Sequence, residues 1–63
     1  MTIQINDEAV ELFSGATVAD ALRMVDKKLF YEVRDGEKTV RDAWDNERDL
    51  DGELSDGDQL RVS

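Results

Sequence analysis

The chain has 63 residues, sixteen Asp and Glu against eight Lys and Arg for a net charge of −8, and neither cysteine nor histidine. That length makes one domain, which buries only about 60% of the surface its unfolded chain exposes. The composition excludes a disulfide framework, a thiolate metal site and most zinc chemistry, and the acidity disfavours nucleic acid and anionic membrane. The same charge steers the domain toward a protein partner with a basic surface. No apolar run approaches the roughly 18 residues of a membrane span and no signal-peptide pattern opens the chain, so a soluble, cytoplasmic domain, monomeric alone, is expected.

Thr2-Ile3-Gln4-Ile5 alternates polar and apolar residues, as a half-buried strand does. Asn6-Asp7-Glu8 reads as a turn, and Ala9 to Phe13 resumes the alternation with Val10 and Leu12 on one side, which predicts an N-terminal hairpin. Ser14-Gly15-Ala16 breaks it, and a helix follows from Val18 to about Asp26. Thr17 and Asp20 have the spacing of a capping box, and Val18, Ala21, Leu22 and Val25 fall on one helical face. Lys27 and Lys28 complement the dipole at its C-terminal end. Leu29 to Arg34 reads as a strand, with Tyr31 and Val33 on one face and Phe30, Glu32 and Arg34 on the other. Asp35-Gly36 is a two-residue hairpin signal leading into a return strand, Glu37 to Val40. Arg41 to Trp44 predicts a single helical turn with Trp44 folded back as a late core plug. The Asp-, Gly- and Asn-rich stretch from Asp45 to Gly57 is anchored by Leu50 and Leu54, and Gln59 to Val62 is a last strand that pairs with the first. The expected architecture is an α+β roll, a mixed sheet of four to five strands packed on one helix.

Residue types for catalysis are sparse. Ser14, Ser55 and Ser63 have no histidine to activate them, the carboxylates lie in turns and on polar faces without the buried or apolar setting a general acid needs, and the four glycines are isolated. No enzymatic activity and no cofactor is expected. Glu47, Asp49, Asp51, Gly52, Glu53, Ser55 and Asp58 fall at positions 1, 3, 5, 6, 7, 9 and 12 of a calcium-loop template. Glu replaces the usual Asp at the first position and Asp the usual Glu at the last, and the flanking helices are missing. Glu47, Asp49, Asp51, Glu53 and Asp58 are therefore weak metal candidates in what reads as an acidic surface loop. Phe13, Phe30 and Met24 lie off the core-facing positions and mark a candidate docking surface.

Ile3 to Leu22, with Asn6 at the first turn and Gly15-Ala16-Thr17-Val18 before the helix, resembles the opening of the ThiS/MoaD group of ubiquitin-like sulfur carriers. Tyr31 to Val40 with Asp35-Gly36, the run Arg41-Asp42-Ala43-Trp44, and the closing Leu54-Ser55-Asp56-Gly57-Asp58-Gln59-Leu60-Arg61-Val62 are similar to later parts of the same family. The resemblance implies a β-grasp fold. It also implies a C-terminal Gly-Gly tail whose carboxylate is adenylated and converted to thiocarboxylate, whereas the sequence here ends at Ser63, so no residue takes that role. A second β-grasp group, the plant-type or complex-I-type [2Fe–2S] domains, needs four cysteines that this chain lacks.

The expected function is accordingly a non-enzymatic β-grasp protein-interaction module of ThiS/MoaD-like descent. The family would supply an E1-like adenylyltransferase or a synthase as partner. Docking is expected on the sheet face opposite the helix, through Phe13, Phe30, Glu32, Arg34 and Arg61 together with Gln4 and Glu11. The alternatives are a sulfur carrier of thiamine or molybdopterin type whose Gly-Gly tail lies beyond this sequence, and an acidic cation-binding domain.

Overall fold

Alternation at the N-terminus forms the expected hairpin. In the computed structural model, which describes residues 1–63, β1 (Thr2–Ile5) and β2 (Glu8–Glu11) pair antiparallel with Ile3 opposite Val10. The turn between them has φ of 48° at Asn6 and 69° at Asp7. A type I′ turn needs positive φ at both central residues, and Asn and Asp are the side chains that tolerate it.

The first helix, α1 (Val18–Val25), starts at the expected capping box. The Thr17 hydroxyl accepts from the Asp20 amide, and the Asp20 carboxylate accepts from the Thr17 amide at 3.0 Å. The two amides between them donate to the acid-rich stretch, Val18 to the Gly52 carbonyl at 2.9 Å and Ala19 to that of Leu50 at 3.0 Å. All four amides that a helix start leaves without intrahelical partners are thus satisfied.

The chain then departs from the expected course. Leu29 to Arg34 is no strand but most of a second helix, α2 (Lys27–Arg34), separated from α1 by the single extended residue Asp26. Asp26 closes α1 by donating its amide to the Leu22 carbonyl, and opens α2 by accepting the Lys28 amide on its carboxylate at 2.9 Å. Asp35-Gly36, expected as a hairpin turn, ends α2 instead. Gly36 has φ of 83°, its amide bonds the Val33 carbonyl, and the Glu37 amide bonds the Glu32 carbonyl at 2.8 Å, the paired bonds of a Schellman cap. The predicted return strand from Glu37 to Val40 shifts accordingly to β3 (Val40–Asp42).

The last strand, β4 (Gln59–Val62), pairs with the first as expected. The sheet order is β2-β1-β4-β3, with β1 and β4 parallel and the outer pairs antiparallel. One face is covered by the helices. Val18, Ala21 and Leu22 of α1 pack into a core of Ile3, Ile5, Val10, Val40, Leu60 and Val62, closed by Leu12, Ala16 and Leu54. Leu29, Phe30 and Val33 of α2 lie half-buried against its margin. The fold is therefore a small α+β structure with a four-stranded mixed sheet and two helices, where one helix was expected.

Trp44 is not a core plug. It is 80% exposed, and the predicted helical turn around it is the end of β3 followed by a tight loop. The Asp42 carboxylate accepts from the amides of Trp44 at 2.9 Å and Asn46 at 3.0 Å. Those bonds turn the backbone so that the indole is carried outward.

Asn6 connects the hairpin to the C-terminal strand. Its amide donates to the Leu60 carbonyl, its side-chain oxygen accepts from the Val62 amide at 3.0 Å, and its Nδ2 donates to the Val62 carbonyl at 3.4 Å. Asn6→Ala removes this clamp and strains a positive φ, so it should lower the unfolding free energy in urea by about 1–3 kcal/mol. Asn6→Gly relieves only the backbone part and should fall between the two. A glycine variant as stable as the native chain would show that the side-chain clamp contributes nothing.

Candidate functional site

The sheet face away from the helices is open. Register fixes its membership: Thr2 and Gln4 from β1, Ala9 and Glu11 from β2, Gln59 and Arg61 from β4, and Arg41 from β3. Arg41 and Arg61 stand directly opposite each other across the antiparallel β3–β4 pair. Arg41 has a partial counter-charge, its Nε 3.8 Å from an Asp45 carboxylate oxygen and its guanidinium donating to the Asp45 carbonyl. Arg61 makes no ion pair. Trp44 borders a shallow depression formed with Asp42, Ala43, Gly57, Asp58 and Gln59, at the end of the sheet where β4 begins.

Asp42 holds that corner in shape. Its carboxyl is kept below the usual aspartate range, chiefly by the Asn46 amide bond. Desolvation opposes the shift, and the Trp44 amide and the Arg48 guanidinium reinforce it. Arg48 itself reaches from Asp42, at 4.0 Å, to the Glu53 carbonyl at 3.1 Å, tying the acid-rich loop to β3.

The residues expected to form the docking face are not brought together. Arg61, Gln4 and Glu11 lie on the open face. Phe30, Glu32 and Arg34 belong to α2 and therefore lie on the side of the sheet that the helices cover. The Phe30 ring sits under the Arg23 guanidinium at 4.2 Å and meets Tyr31 edge-on, Glu32 pairs with Lys38 at 3.7 Å, and Arg34 stacks on Tyr31 and pairs with Asp35 at 3.2 Å. Phe13 stands beyond the end of β2, beside α1. Helical spacing in place of strand alternation is the reason: it puts Phe30, Glu32 and Arg34 around a cylinder rather than on one face. The sequence reading singles out neither Arg41 nor Trp44 as a candidate site residue, although the Asp-Ala-Trp-Asp-Asn run carries an Asx-turn signal.

The metal candidates remain dispersed. No three of the carboxylates converge on one point. Asp58 accepts the Ser55 amide at 2.8 Å, and the Glu53 carbonyl is taken by Arg48. The loop's nearest structural role is its backbone, whose carbonyls cap α1. Gly52 serves that role through close approach, since a Cβ there would stand 3.0 Å from the Asp49 carbonyl oxygen and 3.7 Å from Val18.

Comparison with protein-family models, with curated proteins and with solved structures finds no match.

Asp42 gives a pH signature. A carboxyl with a lowered folded pKa contributes stability that is fully present above its unfolded value, near 3.8, and is lost as pH falls through the folded value. The stability gap between the native chain and Asp42→Ala, read by urea unfolding from about pH 6 to about pH 2, should narrow only below that unfolded value. A gap that does not change with pH would remove the carboxylate from the account.

Proposed function

We propose that this chain is a non-enzymatic β-grasp protein-interaction module of ThiS/MoaD-like descent, docking through the open sheet face centred on Arg41, Arg61 and Trp44. Support for the β-grasp comes from the strand order, in which the first and last strands run parallel at the centre and α1 crosses one face. The near full-length sequence resemblance points the same way.

The observation that carries the binding role is the arginine pair. Like charges directly opposite across a sheet oppose folding, so Arg41 facing Arg61 is not there to hold the domain together. Arginine and tryptophan are the side chains that dominate binding hot spots; here the arginines stand among Thr, Gln, Ala and one Glu with Asp45 beside Arg41, and the exposed Trp44 borders the same end of the sheet. A partner that fits presents a carboxylate to the arginines within a basic periphery, which the net charge of −8 attracts over distance. An E1-like adenylyltransferase or a synthase is the partner class that the resemblance implies.

The sulfur-carrier reading has one favourable observation. β4 ends beside β3, where Ser63 and Thr39 exchange backbone bonds of 2.8 and 3.1 Å. Residues following Ser63 would leave from the end of a central strand and extend away from the sheet. The intact mass of the natively expressed protein separates the readings: added mass ending in Gly-Gly selects the carrier.

Arg61→Glu tests the docking face in two ways. Replacing a like-charge pair with an opposite one should raise stability by about 0.2–1 kcal/mol. The same variant should weaken the purified complex with the partner by about tenfold or more, while Phe30→Asp leaves it intact. A destabilised Arg61→Glu, or a complex that tolerates it, would count against this face.

A further inference from the structure

A second surface stands apart from the arginine face. The sheet has two edges, and they are treated differently. The outer edge of β3 is covered by residues 46–48, with the Asp42 amide donating to the Asn46 carbonyl and the Arg48 amide to that of Val40. The outer edge of β2 has no such cover. Met1 and Leu12 exchange two bonds of 2.7 and 2.8 Å, which fixes the phase of the ladder. Alternation then directs the backbone groups of Glu8 and Val10 toward β1, and those of Ala9 and Glu11 outward.

Next to that edge, β2 and α1 leave a groove of about 420 Å³ lined by Glu11, Leu12, Phe13, Asp20 and Met24. Phe13 and Met24 are each 65% exposed in it. Neither is needed by the core, which is complete without them. Its rim is acidic: Glu11 and Asp20 line it, Asp20 with Arg23 at 3.7 Å as a partial counter-charge, and Asp7 in the turn and Glu8 in the strand extend it.

We propose that this edge and groove accept an extended segment of a partner protein by strand addition. The segment pairs its backbone with Ala9 and Glu11, sets an apolar side chain between Phe13 and Met24, and carries lysine or arginine against Glu8, Glu11 and Asp20. Main-chain bonds supply the affinity of such a complex and the side-chain groove its selectivity. Charge selects this occupant over a second copy of the chain, because joining two β2 edges would bring the Asp7, Glu8 and Glu11 of each copy together. The inference does not depend on the function proposed above: Ala9 and Glu11 also belong to the open face, but Arg41, Arg61 and Trp44 take no part.

The test titrates the isotopically labelled protein with the blocked pentapeptide Lys-Val-Leu-Val-Lys and with its counterpart Glu-Val-Leu-Val-Glu. The basic peptide should move the amide resonances of Ala9 and Glu11 and the Met24 methyl, and slow solvent exchange at the two amides. Met24→Glu, a change at an exposed position that leaves the fold intact, should weaken the basic peptide by about tenfold. Equal binding of the acidic peptide would overturn the proposal. So would shifts confined to Arg41, Arg61 or α2, or no shift at millimolar peptide.

Discussion

The structure depends on the parallel pairing of β1 with β4. Two registered pairs, Gln4 with Gln59 and Ile5 with Leu60, join segments more than fifty residues apart in a 63-residue chain. Ile3, Ile5, Leu60 and Val62 thereby form one apolar floor, and Leu22 and Val18 have something to lie on. Without that pairing the sheet separates into two strand pairs, β1 with β2 and β3 with β4, each too small to persist alone in water. So short a central ladder relies on reinforcement at its end, which is what Asn6 provides.

The acidic character of the chain does two separable things. Locally, individual carboxylates replace missing structure. Asp20 and Asp26 cap helices, Asp42 and Asp58 fix turns, and Asp56 accepts the Thr2 amide beside β1. These are bonds to backbone amides, two for Asp42 and one for each of the others, a use of charge that depends on geometry and not on total. Globally, the surplus sets a negative field around a small basic spot on the open sheet face. That contrast of sign identifies the spot.

The hairpin, α1 and β4 were legible because each carries a local signal that agrees with its burial: alternation in β1, cap and stripe in α1, alternation again in β4. The second helix was not. Phe30, Tyr31 and Val33 have strand preferences, and Asp35-Gly36 supports a hairpin and a helix C-cap equally well. Asp26 was the overlooked signal, since a helix-stopping aspartate three residues before Leu29 is also an N-cap. Trp44 was misplaced on hydrophobicity alone, while the aspartates around it determined the turn. The docking residues inherited the first error: reading α2 as a strand put Phe30, Glu32 and Arg34 on the wrong side, while Arg61, Gln4 and Glu11 kept their places on the open face.

Because β4, one of the two central strands, is synthesised after the other three, the order of events at the ribosome is constrained. The N-terminal hairpin and α1 can form as they emerge, but they have no floor to pack on until Val62 has left the exit tunnel. Until then Ile3, Ile5 and Leu22 remain exposed on the nascent chain, and non-local pairings of this kind are the slow ones.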